Sequence, residues 1–244
     1  MSILISTFKQ PKCLHRLVTK LQECDSIVEN IHVNWFEESP IPQSLANNSK
    51  FTIPVLFDKL PNKLSHRFLP RNFSTDAVFS MDVDMTYTCK ALQDAMDAWR
   101  NQVNQTHTAV GFFPPHLPSD RYYSWDEAHR KPFTRNTLFI TKGGLLHKDR
   151  FKDYFHPSLQ SFVDHVDEHI TGEDLLMYYL LATKDVKMVT ICLPRSYWCN
   201  SYCAEGAGTL GDRTGNHREH MMSSFRDHFG HISTNENNNH SLAQ

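Results

Sequence analysis

Ala77-Val78-Phe79-Ser80-Met81-Asp82-Val83-Asp84 is the stretch that decides the fold. An apolar run, Ala77 to Met81, passes straight into two carboxylates separated by one residue. The run reads as a buried strand, and in open α/β sheets ligands bind beyond the carboxyl ends of strands. An extended Asp-x-Asp points both carboxylates the same way, toward a hard divalent cation. Mg²⁺ and Mn²⁺ take one or two carboxylates together with substrate phosphates. The plainer reading makes Asp82 and Asp84 turn residues at a strand end.

Upstream, Ile3–Phe8 reads as a first strand. Pro11 then suits a first helical turn, and Leu14, Leu17, Val18 and Leu21 follow at helical spacing. Ile27–Trp35 is the second strand, residues 36–50 a surface loop, and Phe51–Phe57 a third strand that Pro54 sends to an edge or a bulge. Downstream, Leu92, Ala95, Met96 and Trp99 share one helical face. Strands are expected at Ala109–Phe113, Asn136–Thr141 and Val186–Ile191, with loop over 114–135. Helix in pieces is expected over 148–183, broken at Pro157. Residues 193–215 read as a long loop, His217–Phe229 as a last helix, and the Asn- and Ser-rich tail 233–244 as disordered. Strands alternating with helices imply an α/β layer with a largely parallel sheet.

The 244 residues suit one domain, and 40% hydrophobic residues suit a packed core. Lys plus Arg number 25 against 27 Asp plus Glu, a net charge of −2, which excludes a strongly basic nucleic-acid binder. The 15 His would turn that balance positive in a mildly acidic compartment. No stretch reaches the roughly 20 apolar residues that cross a membrane, and the N-terminus has no signal-peptide pattern. Six Cys are too few for a disulfide scaffold. Cys13, Cys24 and Cys89 read as core thiols; a Cys199–Cys203 or Cys192–Cys203 bridge is open in an oxidising compartment. His217 and His220 with Cys192, Cys199 and Cys203 lack a C-x2-C knuckle and make a weak zinc pattern. Sequons at Asn47, Asn72, Asn104 and Asn239 are compatible with a luminal protein.

Glu173-Asp174 opens an apolar run, where acidic residues either favour the helix N-terminus or stand beside a reacting centre. Arg218, near the start of the last helix, is either a solvated arginine or a bidentate phosphate clamp.

Taken in order, these blocks resemble the catalytic domain of the exostosin-type glycosyltransferases, glycosyltransferase family 64, over roughly residues 2–231. Ile5-Ser6-Thr7-Phe8 is similar to the family's opening strand, Val33-Asn34-Trp35 to its second-strand V-x-W, and Asn62 to Pro70 to its N-x-x-x-x-R-F-x-P block. Ala77–Asp84 is similar to its strand and D-D-D motif, Val110-Gly111-Phe112 follows, Asp167 to Asp174 resembles the late acidic segment, and Arg218 the late arginine.

The resemblance implies a GT-A fold over residues 1–232 with a mixed, mainly parallel central sheet, a Rossmann-like nucleotide-sugar half near 1–113 and an acceptor half near 114–232. It implies retaining transfer of a sugar, N-acetylhexosamine first, from a UDP-sugar to a glycan or glycolipid acceptor with Mn²⁺ or Mg²⁺. The alternative is an inactive GT-A domain that stabilises an active partner. Asp82 and Asp84 would hold the metal, with Val83 between them. Thr7, Lys9, Asn62 and Arg67 would contact the nucleotide-sugar. Asp174, beside Glu173, would stand at the reacting sugar, and Arg218 at the leaving diphosphate. Homo- or hetero-oligomers are open.

Phe36 replaces the polar residue expected after V-x-W, Val83 the middle Asp of the metal motif, and Lys142 a Gly. Gly172 and Met221 stand where the family pairs two cysteines. A Golgi or endoplasmic-reticulum lumen is implied. The first strand lies at the start of the sequence with no anchor ahead of it, so either the chain lacks its N-terminus or it reaches the lumen by another route.

Overall fold

The structure is a computed structural model that describes residues 1–46, 48–112, 141–191, 193, 197–199 and 215–230. Strand β1 (Ser2–Thr7) leads into helix α1 (Pro11–Leu21), which starts at Pro11 as expected and buries Cys13, Leu14, Leu17, Val18 and Leu21. Strand β2 (Asn30–Trp35) begins later than the sequence suggests, because Ile27 and Val28 donate to the Cys24 carbonyl and extend the turn after α1. A short helix α2 (Gln43–Ala46) interrupts the expected loop. Strand β3 (Val55–Lys59) starts after Pro54 and lies at the sheet edge, where a residue without N–H is tolerated.

Strand β4 (Ala77–Asp82) carries the deciding stretch, and β5 (Thr86–Tyr87) follows a turn. Helix α3 (Cys89–Arg100) is capped by Thr88, whose Oγ1 accepts from Ala91 N at 3.2 Å. Its inner face carries Leu92, Ala95, Met96 and Trp99 as expected. Then come β6 (Thr108–Gly111), β7 (Gly143–His147), α4 (Arg150–Tyr154), α5 (Gln160–His169) and α6 (Glu173–Thr183). Strands β8 (Lys187–Thr190) and β9 (Trp198–Cys199) and helix α7 (Gly215–Phe229) complete the described chain.

The main sheet has seven strands in the order β3-β2-β1-β4-β7-β6-β8. Strands β3, β2, β1 and β4 are parallel neighbours, as are β6 and β8; β7 runs antiparallel to both β4 and β6. This is the mixed, mainly parallel α/β sheet expected. Ile3, Leu4 and Ile5 of β1 are fully buried, as a parallel strand covered on both faces requires. Strands β7 and β8, from beyond residue 113, join the same sheet as β1–β4.

Three expectations change. The strand expected at Asn136–Thr141 is not seen at Thr141, which sits in a turn, and residues 136–140 lie outside the described residues. A strand that the sequence reading did not include follows at Gly143–His147; its two glycines hide it, and burial of all five residues between β4 and β6 overrides propensity. The break before α6 comes from Ile170 and Gly172, both left-handed at φ 48° and 81°, in addition to Pro157, which opens a 3₁₀ turn. Cys24 and Cys89 are not core thiols but a disulfide joining the end of α1 to the start of α3. Their Cα atoms lie 5.2 Å apart, across 65 residues of sequence that no local pattern connects. Cys192 and Cys203, on which the other bridges and the zinc pattern depend, lie outside the described residues, as do the His217 side chain and the tail from 233.

Candidate active site

The parallel pairing sets four side chains in one row at the carboxyl ends of β4, β1, β2 and β3. Ser6 is in register with Asp82 and with Asn34, and Asn34 with Asp58. Alternation along each strand puts this row on one side of the sheet.

At one end of the row sits Arg67, on a 3₁₀ turn (Leu64–Phe68) and only 4% exposed. Its guanidinium donates to Glu173 Oε1 at 2.8 Å, to Thr141 Oγ1 at 3.3 Å and to Asp82 Oδ1. Burial alone would lower the Arg67 pKa; the Asp82 and Glu173 carboxylates outweigh it and hold the group above its ordinary value. The turn that presents Arg67 is itself pinned by Asp167, which accepts from Ser65 N at 2.8 Å and Ser65 Oγ at 2.9 Å. The Arg67 Nε is buried without a hydrogen-bond partner.

The Asp82–Asp84 segment is not extended. Strand β4 ends at Asp82, and Met85 N donates to the Asp82 carbonyl at 3.1 Å, closing a turn over Val83 and Asp84. Val83 is 5% exposed and anchors that turn in the core, which forces the chain to bend. Both carboxylates remain partly accessible. Burial, then the charge of Asp82, raises the Asp84 pKa. Two mutually repelling oxygen donors suit a hard divalent cation. Among the described residues no group of three or more His, Cys, Asp and Glu side chains converges as a metal site. Among the described residues, Asp82 and Asp84 are the carboxylates at this turn that a cation could use.

Glu173 and Asp174 open α6 and are 9% and 6% exposed. Asp174 Oδ1 accepts from Leu175 N at 2.9 Å, the helix-end role expected of it, whereas Glu173 reaches Arg67. Helix α6 is buried from Glu173 to Leu181, so this acidic end is held inside the fold. At its start, a Cβ on Gly172 would meet Met221 Cε at 2.5 Å and Sδ at 2.6 Å. Met221 of α7 fills that space and is 1% exposed. Where the resemblance implies a disulfide, this chain packs a thioether against a glycine. Arg218 stands three residues before Met221, so the backbone that carries it is placed near the start of α6; its side chain lies outside the described residues.

The other expected contacts divide. Thr7 is 1% exposed, with Oγ1 lacking a partner. Lys9 is exposed at φ 56°, its Nζ 4.9 Å from the Phe8 ring centroid. Asn62 is exposed ahead of the Arg67 turn, outside the ion-pair cluster.

Sequence reasoning missed the far end of the row. Arg71 donates to Asn34 Oδ1 at 2.7 Å and to Asp58 Oδ2 at 2.5 Å, and Asn34 donates to Ser6 Oγ at 3.3 Å. The one signal was a fully buried asparagine inside the apolar Val33-Asn34-Trp35. It missed Tyr154 as well, whose hydroxyl is buried without a partner. Burial, then Glu173, Asp167 and Asp174, pushes the Tyr154 pKa well above its ordinary value.

Carboxylates and two arginines gathered where parallel strands end define an α/β enzyme domain with a polar site for a charged ligand. The glycosyl transferase family 64 domain matches residues 1–241, and the chain belongs to that family of glycosyltransferases. It is 24% identical over 248 residues to glycosylinositol phosphorylceramide mannosyl transferase 1 of Arabidopsis thaliana, covering 94% of this chain and 72% of that one. It is 24% identical over 239 residues to exostosin-2 of Mus musculus, covering 93% of this chain and 32% of the relative. The chain thus spans about a third of the exostosin. A solved Francisella tularensis 2-C-methyl-D-erythritol 4-phosphate cytidylyltransferase aligns with 13% identity and a TM-score of 0.47, over 80% of this chain and 92% of that one.

Proposed function

We propose that the domain moves a sugar, N-acetylhexosamine first, from a UDP-sugar to a glycan or glycolipid acceptor, with retention and with Mn²⁺ or Mg²⁺. The observation that carries this reading is Arg67, which ties the strand-end Asp82 to Glu173 at the start of α6. It brings the donor end of the sheet and the late acidic pair into one site. Asp82 and Asp84 would hold the cation, which when bound stabilises negative charge on the departing diphosphate.

The chain's own residues do the rest. Arg67 holds Glu173 in place. Asp174, its carboxylate fixed by the α6 backbone, stands ready to stabilise positive charge on the sugar. Arg218 would offset charge on the leaving diphosphate. One such carboxylate suffices if attack comes from the face that the diphosphate leaves, with a phosphate oxygen taking the acceptor proton.

A GDP-sugar is the second reading. The Arabidopsis relative is named as a mannosyl transferase, and Asp58 at the row's end offers a carboxylate that guanine, with two adjacent N–H donors, would use better than uracil.

The test is transfer and hydrolysis across UDP- and GDP-sugars with Mn²⁺. Turnover of one UDP-sugar supports the first reading; turnover of GDP-mannose alone supports the second. Neither turnover nor Mn²⁺-dependent nucleotide binding would overturn both and favour an inactive partner.

A Golgi or endoplasmic-reticulum lumen fits the Cys24–Cys89 disulfide, since such bonds persist in oxidising compartments. Among the described residues no helix is long and apolar enough to cross a membrane.

A further inference from the structure

We infer that Asn104 is an N-glycosylation site, modified in the secretory lumen on the end of the domain opposite the active site. The inference rests on the luminal placement proposed above and on nothing about the reaction.

Of the four sequons, Asn104-Gln105-Thr106 alone carries Thr; the other three carry Ser. Asn47 and Asn239 lie outside the described residues. In Asn72-Phe73-Ser74 the hydroxyl is already used, because the Asn30 amide donates to Ser74 Oγ. Phe73 is 5% exposed and packs edge-on to His32, so that sequon is sewn onto the sheet.

Asn72 and Asn104 are both exposed, but Asn104 stands at the head of a 3₁₀ turn (Gln105–His107) between α3 and β6, with no buried ring inside its sequon. Its side-chain Oδ1 accepts from His107 N at 3.3 Å, and its main-chain carbonyl accepts from Thr108 Oγ1 at 2.8 Å. Both bonds use oxygens. Neither bond uses the amide Nδ2, the atom a glycan joins, so the cap survives modification. The adjacent Val103 is fully exposed, an apolar side chain that a glycan would shelter.

Topology places this turn away from the chemistry. Strand β6 is antiparallel to β7, which is antiparallel to β4, so β6 runs parallel to β4. Asn104 precedes β6 and therefore sits at the amino ends of the strands. Asp82 closes the carboxyl end of a six-residue strand, about 20 Å along the sheet at the usual rise. The disulfide supplies the second, independent indication, because an oxidising lumen is also where sequons meet the glycosylation machinery.

The donor is a lipid-diphosphate-linked oligosaccharide of the host cell. The Asn104 Nδ2 attacks its anomeric carbon, forming the C–N bond. The bond from that carbon to the diphosphate oxygen breaks, and the lipid diphosphate leaves with the electron pair. One amide proton passes to a carboxylate of the host transferase.

The test has two arms. The full chain behind a cleavable secretion signal is made in eukaryotic cells, and the native chain is isolated from its own cells. Each is treated with peptide-N-glycanase, and Asn104→Asp conversion is read by mass spectrometry. Conversion in both arms, lost in Asn104→Gln and in Thr106→Ala but kept in Thr106→Ser, is the expected result. Thr106→Ala keeps the Asn104 cap, so its loss of glycan is not a folding failure. Transferase activity of Thr106→Ala should match the parent, given the distance. No conversion at Asn104 in the signal-bearing arm overturns the site. Conversion there but not in the native chain overturns the luminal placement and, with it, the use of the site.

Discussion

Replacing Arg67 by Met removes the cation that bridges Asp82 and Glu173 and keeps most of the side-chain volume. The magnitude follows from burial. The side chains of Arg67 and Glu173 are 5% and 12% exposed, and removing one partner of a buried pair costs about 3–5 kcal/mol. Asp82 is 33% exposed, so its share is screened and adds about 0–1 kcal/mol. A total near 4 kcal/mol is a large fraction of the roughly 5–15 kcal/mol that holds a domain together. Urea unfolding at pH 7 should show that loss in the midpoint. Its pH dependence is the sharper readout. A buried carboxyl that loses a cationic neighbour titrates higher than before. The deficit is then present in full above that raised pKa and shrinks as pH falls through it, since protonation removes the buried charge. The gap between Arg67→Met and parent should therefore narrow between pH 7 and pH 5. Adding Glu173→Gln should recover part of the loss. A deficit under about 1 kcal/mol at pH 7, or one that does not narrow, would refute the pairing as the organiser of the site.

Asp84→Ala should abolish Mn²⁺-dependent donor binding by calorimetry; full activity in that variant would show that the turn at 82–85 does not hold the metal. Asp174→Asn should leave nucleotide binding intact and lower kcat by about 10²-fold or more, the size of a lost charge-stabilising group; equal losses in both would move Asp174 into binding. Burial, then the Arg71 charge, pushes His32 down from 6.5 to about 4. Its stability contribution is therefore complete above pH 6.5 and lost on acidification toward pH 4, about 2 kcal/mol by pH 5. His32→Phe should flatten that part of the stability–pH curve, and an unchanged slope would exclude His32 as its source. Removing the Cys24–Cys89 bridge as a double Ser variant should cost about 4 kcal/mol for a closed loop of this length, and the parent under reductant should melt with the variant.

Much of the fold was legible because its periodicity is strong. The apolar runs at 3–8 and 77–81 and the amphipathic faces of α1 and α3 sit in the structure within a residue or two of their reading. The central strand β7 was not legible, since Gly143-Gly144 carries no strand preference and only the neighbours β4 and β6 make it one. The site divides in the same way. Asp82, Arg67, Glu173 and Asp174 could be read from ordered blocks in the sequence, and the structure brings them together. Arg71, Asn34 and Asp58 could not, because their meeting depends on strand register. The Cys24–Cys89 bond likewise depends on how α1 and α3 lie against the sheet.

Register also explains how so dispersed a site can be rigid. The Arg67 turn, the Asp82 strand end and the α6 N-terminus are each held from outside the cluster. Asp167 grips the turn through Ser65, β1 pairs with Asp82 through Ser6, and Met221 fills the space over Gly172. Three supports from separate elements fix the carboxylates before any ligand arrives, and preorganised charge is worth most where it need not reorient. The Gly172–Met221 contact matters most among them. A disulfide there would tie α7 to α6 covalently; here the Met221 packing and the Tyr179–Arg226 hydrogen bond hold the two helices together instead. The acidic half of the site is thus held from several elements, and the arginine proposed to meet the leaving group rides on a helix joined to it by non-covalent contacts, the Met221 packing and the Tyr179–Arg226 hydrogen bond.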